Sequence, residues 1–219
     1  MYDIIKRKLW GWFFMKELQD RILKDGHVVG NEILKVDKFL NHQVDPVLMS
    51  HIGEDFSNHF KSRGITKVAA IESSGISPAL MTALSMGVPL IILKKQPSKI
   101  LNDRLFQTEI NYFTTKKNYE LCLASDVISS DDHVLIIDDF LADGEAMTGA
   151  VRLLRMAHAT VAGVGIVIEK YFQSGASKLA SQGLDVYSLA KIKEMNENNI
   201  IFEEKFINKK DEPCSSFYC

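Results

Sequence analysis

From residue 45 onward, the chain alternates between short apolar runs and segments in which apolar residues recur every three or four positions. Asp45 and Pro46 predict a helix start, because an aspartate side chain caps the first amides and proline loses no hydrogen bond at the first helical position. The recurrence behind them predicts one buried helix face: Leu48, Ile52, Phe56 and Phe60. Gly64 predicts the end of this helix.

Short, almost wholly apolar runs predict buried strands. These runs cover residues 68–71, 89–93, 121–124, 134–137, 161–168 and 186–189. Helical segments are predicted at 77–87, at about 145–157, and between the last two strands. Strands separated by helices form parallel βαβ units with right-handed crossovers. We therefore expect an α/β protein with a parallel twisted sheet flanked by helices.

The two ends of the chain differ from this pattern. Residues 1–14 contain three successive cations and then a short aromatic cluster, and we interpret them as an N-terminal extension ahead of Met15. Their apolar part is too short for a secretion signal, and no small-residue cleavage site follows it. Residues 205–219 are polar and predict a loose C-terminal tail. The segment 15–204 is therefore expected to form a single domain.

Composition and charge indicate which kinds of binding partner the protein is not expected to have. The 219 residues are 46% hydrophobic, which is enough for one well-buried domain. A formal net charge of -2 gives no overall attraction for nucleic acid or an anionic membrane, and no apolar stretch reaches a membrane span of roughly 18 residues. Cys122, Cys214 and Cys219 form neither a disulfide framework nor a metal pattern. We expect a cytoplasmic protein without nucleic-acid or membrane partners.

The segment 134–146 carries the most informative chemistry. A buried strand ends in two carboxylates, Asp138 and Asp139, and a turn of small residues containing Gly144 leads into a helix. Backbone amides at such a turn and the helix dipole behind them favour a phosphate group, while the carboxylates can accept hydrogen bonds from sugar hydroxyls. The two aspartates could instead cap the helix, so the pattern alone leaves both interpretations open.

This segment resembles the phosphoribosyl pyrophosphate (PRPP) motif of the type I phosphoribosyltransferases, in which two acidic residues and a glycine-containing loop follow an apolar strand. Almost the whole stretch 15–204 is similar to the xanthine branch of that family. The matching pieces are Leu34 with the run 41–46, the loop 71–78, the segment 134–146 and the run 169–172. The resemblance implies the type I phosphoribosyltransferase fold, with a core at about 46–189 and a small hood from about 15–45 and 190–204.

The resemblance implies a role for each matching residue in a PRPP site. Asp138 and Asp139 would hold the ribose 2′- and 3′-hydroxyls. The loop containing Ser74 and Gly75 would bind the pyrophosphate, in this family often through a non-proline cis peptide bond. The turn would cradle the 5′-phosphate through its backbone amides: Ala142, Asp143, Gly144, Glu145 and Ala146.

A purine-base site is implied in the same way. Lys170 would donate to the 6-oxo group of the base, and Tyr171 or Phe172 would stack on it. Leu34 and Asn41 would complete the pocket from the hood. A cation-rich segment resembles the mobile lid of the family: Lys94, Lys95, Lys99, Arg104, Lys116 and Lys117. Taken singly, these residues have plainer interpretations, with the lysines as solvated surface, the rings as core and the asparagine as a cap.

Two features depart from the family pattern. Ala142 stands where many purine phosphoribosyltransferases have an aspartate that acts as a base toward N7, so no general base is assigned. Asp143 and Glu145 place carboxylates inside the cradle, where a negative charge opposes a phosphate by about 1 kcal/mol at 4 Å in water. If their side chains point outward, the backbone site survives.

The implied reaction joins xanthine to the ribose of PRPP and gives xanthosine 5′-monophosphate and pyrophosphate, a step of purine salvage. Mg²⁺ bound mainly through PRPP and pyrophosphate is the implied cofactor, and a homodimer is the implied assembly. Three alternatives remain: an enzyme for hypoxanthine, guanine or adenine; a non-catalytic regulator that senses PRPP; and a nucleotide-binding or scaffolding module. The regulator is disfavoured because residues 1–14 are too few for a DNA-binding domain.

Overall fold

The computed structural model describes residues 15–95, 104–112 and 117–203. Residues 15–25 form helix α1. The other α-helices of the described residues are α2 (Pro46–Phe60), α3 (Ile76–Met86), α4 (Glu145–Met156) and α5 (Gly175–Ala180). The strands are β1 (His27–Val29), β2 (Ile33–Lys35), β3 (Lys67–Ile71), β4 (Leu90–Leu93), β5 (Leu105–Tyr112), β6 (Lys117–Ala124), β7 (His133–Leu141), β8 (Thr160–Lys170), β9 (Val186–Asn196) and β10 (Asn199–Phe202).

The main sheet has six strands in the order β10-β9-β8-β7-β3-β4. All neighbouring strands are parallel except β10, which runs antiparallel to β9 at one edge. The predicted α/β class and the parallel sheet are therefore confirmed. Chain order reverses at β3, since β4 lies on one side of it and β7 on the other, and the carboxyl ends of strands at such a point form a crevice for ligands.

Helices cover both faces of this sheet. On one face, Phe56 of α2 belongs to the same hydrophobic cluster as Leu135 of β7. On the other face, Leu153 of α4 belongs to a second cluster that contains Ile136. Adjacent residues of β7 reach opposite clusters because successive side chains of a strand point to opposite faces. Their position between two helical layers explains why the strands read as continuous apolar runs.

Local sequence signals fix the helix boundaries. The Oδ1 atom of Asp45 accepts hydrogen bonds from the amides of Val47 and Leu48 at 3.1 and 3.2 Å, which confirms the predicted cap of α2. Gly87 closes α3 with a φ of 68°, a left-handed conformation that favours glycine. Helix α3 begins at Ile76, one residue earlier than predicted.

The prediction that residues 121–124 belong to the parallel series is wrong. They end β6, which pairs antiparallel with β5 in a separate two-stranded ribbon. The ribbon buries Leu121 and Leu123 in the cluster on the α4 side of the main sheet. Its backbone is joined to the chain after β4 by two hydrogen bonds between Lys94 and Cys122, at 2.9 and 2.8 Å. A short apolar run predicts a buried strand, but it does not indicate which other strand that strand pairs with.

The N-terminal part of the described chain packs against the end of β9. It contains α1, the β1–β2 hairpin and a short π-helix at Asp37–Asn41. Leu18, Leu34 and Phe39 of this part share a hydrophobic cluster with Ile192 and Met195. The expected hood would consist of these segments together with residues 190–204. Its separation from the core stays a prediction, since β9 runs through residue 190 without interruption.

Parts of the sequence discussed above lie outside the described residues. These are the extension 1–14, the tail 205–219, and Lys99 and Lys116 of the cation-rich segment. Within the described ranges, no helix combines the length and the apolar character needed to cross a bilayer.

Candidate active site

Three predicted site segments meet at one edge of the main sheet. The loop 72–75 follows β3, the turn 142–146 follows β7, and Lys170 is the last residue of β8. Since β8, β7 and β3 are parallel neighbours, their carboxyl ends lie side by side. Chain topology thus brings distant segments of the sequence into one crevice, at the place where α/β sheets bind ligands.

The acidic pair lies at the centre of this edge. Asp138 is buried and Asp139 is half-buried. Burial raises the pKa of both carboxyl groups, and the charge of Asp139 raises the pKa of Asp138 further. The ammonium group of Lys95 offsets part of this effect for both aspartates. Such a pair is a site of concentrated acceptor oxygens that hydroxyl donors or a cation would stabilise.

The loop 72–75 contacts the acidic pair directly. Its peptide bond between Glu72 and Ser73 is cis, as the family resemblance implied. Gly75 has no room for a side chain, because a Cβ atom there would overlap the Oδ1 atom of Asp138. The Oε1 atom of Glu72 accepts a hydrogen bond from the amide of Lys95 at 2.6 Å. The loop 72–75, the acidic pair and Lys95, the last described residue before a gap in the cation-rich segment, are therefore mutual neighbours.

The turn after β7 has the geometry of an anion cradle. Gly144 has a φ of 83°, and a Cβ atom there would come within 2.9 Å of the backbone of Gly175. Because α4 begins at Glu145, the amides of its first turn have no acceptor within the helix and are available to an anion. One of these amides is already engaged, since the Oδ1 atom of Asp143 accepts from the amide of Glu145 at 3.1 Å.

The two cradle carboxylates point in different directions. Asp143 folds back onto the turn through the hydrogen bond just described. Glu145 turns toward α5, where the Nζ atom of Lys178 donates to its Oε1 atom at 2.8 Å. The amide of Gly175 also donates to the carbonyl oxygen of Ala142 at 3.0 Å, so α5 supports the cradle at two points. Sequence reasoning missed both α5 residues, because nothing in their local pattern indicates a contact with a turn so far upstream.

Lys170 connects the sheet edge with the N-terminal part of the chain. Its Nζ atom donates to the carbonyl oxygen of Glu32, in the turn between β1 and β2, at 2.6 Å. Burial lowers the pKa of Lys170, while the charges of Glu32 and Asp143 raise it. The lysine therefore lies between the β1–β2 turn, which precedes Leu34, and the turn 142–146, and sequence reasoning missed Glu32 as its partner.

The remaining predicted residues occupy varied environments. Ser74 lies in the loop between β3 and α3, and Leu34 is buried in the core. Tyr171 and Phe172 are 47% and 43% exposed, so the interpretation of these rings as ordinary core is wrong. Asn41 is exposed at the end of the π-helix, and no hydrogen bond of its side chain is found in the part of the chain that the structure describes.

This fold and site are accompanied by a match in sequence. Residues 45–206 match the phosphoribosyl transferase domain, and the chain belongs to that family. The xanthine phosphoribosyltransferase of Agathobacter rectalis is 69% identical over 191 residues, which cover 87% of this chain and 100% of that protein. The xanthine phosphoribosyltransferase 1 of Clostridium botulinum strain Hall is 56% identical over 188 residues, covering 86% of this chain and 99% of that protein.

Solved structures agree on the fold. The adenine phosphoribosyltransferase of Rhodothermus marinus superposes with a TM-score of 0.65 at 21% identity, over 82% of this chain and 99% of that chain. The enzyme of Giardia lamblia complexed with 9-deazaadenine gives 0.66 at 18% identity, over 80% and 97% of the two chains. These superpositions support the type I phosphoribosyltransferase fold. Because the sequence identities are low, they do not indicate which base the protein uses.

Proposed function

We propose that the protein is a xanthine phosphoribosyltransferase of purine salvage, which converts xanthine and PRPP to xanthosine 5′-monophosphate and pyrophosphate. The position of Lys170 carries this proposal, because its ammonium group lies between the β1–β2 turn and the phosphate turn, where a base attached to the ribose would lie. A 6-oxo purine offers this donor an acceptor. The name of the relative with 69% identity over 191 residues supports the choice of xanthine.

In this proposal the side chains align two substrates. Asp138 and Asp139 accept hydrogen bonds from the ribose hydroxyls, and the turn 142–146 holds the 5′-phosphate. The loop at Ser74 and Gly75 holds the pyrophosphate on the side of C1′ opposite to N9 of the base. Alignment of this kind lowers a barrier by up to about 7–11 kcal/mol. As the bond from C1′ to pyrophosphate breaks, Lys95 stabilises the charge on the leaving group.

Mg²⁺ is the proposed cofactor, bound mainly through PRPP and pyrophosphate. Asp138 and Asp139 fit this ion, because Mg²⁺ prefers oxygen ligands and a cation would stabilise the charged form of carboxylates whose pKa values burial raises. When bound, the metal neutralises part of the charge that develops on pyrophosphate. Among the described residues, no cluster of three or more histidine, cysteine or acidic side chains could hold a metal by itself.

We further propose that the protein acts as a cytoplasmic homodimer in which one subunit helps to close the site of its neighbour. Helix α3, which directly follows the pyrophosphate loop, carries Leu80 and Leu84 at positions one turn apart. Their side chains are 54% and 74% exposed, and an apolar face of this kind supports contact with a second copy.

The test of the proposed function is steady-state kinetics with four bases and saturating PRPP. We expect xanthine to be preferred over adenine by on the order of 10³-fold in kcat/KM, because adenine presents an amino group to the Lys170 donor and leaves that donor unpaired. Hypoxanthine and guanine, which both keep the 6-oxo group, are the closer competitors.

Three results would overturn or change this proposal. Comparable turnover of adenine and xanthine would overturn the assignment of the base pocket. A preference for guanine or hypoxanthine would keep the reaction and change the substrate. Binding of PRPP without turnover of any base would favour the non-catalytic regulator.

A further inference from the structure

We infer that Lys178 is a charge-compensating residue of the phosphate cradle, which pairs with Glu145 and thereby raises the affinity of the site for the 5′-phosphate of PRPP. This inference rests on the proposed function, since it concerns how that site takes its phosphorylated substrate. Lys178 would act through Glu145 and not by touching the substrate, so its role is one of positioning and charge.

The geometry of α5 places Lys178 against the cradle. Its Nζ atom lies 2.8 Å from the Oε1 atom of Glu145, the first residue of α4. A backbone hydrogen bond and a close approach of two glycines show that α5 lies directly against the cradle. The amide of Gly175 donates to the carbonyl oxygen of Ala142 at 3.0 Å, and a Cβ atom on Gly144 would come within 2.9 Å of the same glycine. The lysine therefore starts from an element that is fixed to the cradle.

Charge explains what this pair does for the site. The cradle must take a phosphate dianion at the start of a helix that also carries the carboxylate of Glu145. Without a partner, that carboxylate would repel the phosphate, since charges a few ångströms apart are only partly screened by salt. The side chains of Lys178 and Glu145 are 41% and 25% exposed, so part of the interaction is shielded from water. Pairing offsets the charge of Glu145 and leaves those first-turn amides of α4 that Asp143 does not engage to bind the anion.

A purely structural role is the competing explanation for this pair. Lys178 lies in the last turn of α5, where a cation stabilises the helix whatever surrounds it. The ion pair also links α5 to α4. A structural role predicts a loss of stability with no particular effect on PRPP, whereas charge compensation predicts a selective change in KM for PRPP that depends on the charge of Glu145.

The experiment is a double-mutant cycle of Lys178→Met and Glu145→Gln, with Lys178→Arg as the conservative variant. We expect Lys178→Met to raise KM for PRPP roughly three- to tenfold, with little change in kcat or in KM for xanthine. Adding Glu145→Gln to this variant should bring KM for PRPP most of the way back to the wild-type value, because the unpaired carboxylate of Glu145 is then removed. Lys178→Arg should remain close to the wild type, and high salt should shrink the effect of Lys178→Met.

Lys67→Met is a matched control. Lys67 donates to Asp132 at 2.7 Å, a similar lysine–carboxylate pair at the amino end of the sheet, far from the cradle. Its loss should lower the melting temperature without raising KM for PRPP. The inference is overturned if folded Lys178→Met keeps the wild-type KM for PRPP, or if Glu145→Gln fails to reverse a raised KM. If Lys178→Met does not fold, Lys178→Gln takes its place in the same cycle.

A binding measurement separates this inference from the proposed function. Titration of the same variants with ribose 5-phosphate reports on the cradle whether or not xanthine is turned over. If the wild type binds ribose 5-phosphate but converts no xanthine, the proposed reaction is wrong. The double-mutant cycle can then be measured with dissociation constants for ribose 5-phosphate, and it still decides the role of Lys178. If the wild type turns over xanthine and the cycle shows no coupling, only the inference about Lys178 fails.

Discussion

Asp143 makes two different interactions within the candidate site. Its Oδ1 atom accepts a hydrogen bond from the amide of Glu145 at 3.1 Å, so it occupies a donor that a phosphate could use. Its charge also raises the pKa of Lys170. In the proposed function, the same carboxylate would compete with the 5′-phosphate of PRPP for this amide and would favour the protonated form of Lys170.

Replacing Asp143 by asparagine should separate these two effects. The amide oxygen of Asp143→Asn can still accept from the turn, but the negative charge is gone. We expect KM for PRPP to fall by about threefold, with a gain that shrinks as salt increases, and stability to change by less than about 1 kcal/mol. The alkaline decline of kcat/KM for xanthine should begin at a lower pH, because the variant removes a charge that raises the pKa of Lys170.

Asp131→Asn, an exposed aspartate in the turn before β7, is the matched control and should change neither value. An increase in KM for PRPP in Asp143→Asn would show that the carboxylate helps the site, for instance by ordering the turn. Our account of repulsion in the cradle would then be wrong.

At the scale of elements, a polar clamp joins the amino ends of β3 and β7. Asp132 is buried and accepts hydrogen bonds from Lys67 Nζ at 2.7 Å, Ser129 N at 2.8 Å and Thr66 Oγ1 at 2.9 Å. Burial by itself would raise the pKa of Asp132, but these three hydrogen bonds and the lysine charge lower it to about 2. The clamp lies at the end of the sheet opposite to the site.

Acid should weaken this clamp in a defined pH range. The pKa of Asp132 is lower in the folded protein than in the unfolded chain, so its contribution to stability is complete above about pH 4 and is lost as pH falls toward 2. We expect Asp132→Asn to lower the free energy of unfolding by about 2 kcal/mol at pH 7. Urea unfolding at several pH values should show this difference disappearing between pH 4 and 2, with kcat/KM unchanged at pH 7. A difference that persists at pH 2 would contradict the assignment.

The sequence predicted where strands and helices lie better than it predicted which strands pair and which side chains meet. Apolar runs identified β3, β7 and β8, because strands covered on both faces contain few polar residues. The ribbon of β5 and β6 was missed as a separate unit, since a half-buried strand has a weaker pattern and pairing depends on distant residues. In the site, Asp138 and Lys170 follow apolar runs and were visible in the sequence. Lys178 was not, because only the folded chain brings α5 to the cradle.

At the scale of the whole molecule, we predict the oligomeric state from the exposed apolar face of α3. Leu84 is 74% exposed, and a charge placed there would have to be buried in a dimer that uses this face. We expect the wild type to scatter light as a particle of twice the 24.7 kDa of one chain, and Leu84→Glu to shift the mass toward a single chain.

Leu23→Glu, on α1, is the matched control because Leu23 is a 53% exposed leucine on another helix. It should leave the dimer intact. A wild type that is fully active as a monomer would contradict the proposed dimer, and equal masses for the two variants would exclude α3 as its contact face.

The hydrogen bond from Lys170 to Glu32 joins residues that are 138 positions apart. At a synthesis rate of about 5–20 residues per second, Lys170 is added on the order of ten seconds after the β1–β2 turn. Throughout that delay, Leu18 and Phe39 also lack their neighbours Ile192 and Met195. A ribosome that pauses before residue 170 therefore holds a chain in which Leu18 and Phe39 lack these apolar neighbours and Glu32 lacks Lys170.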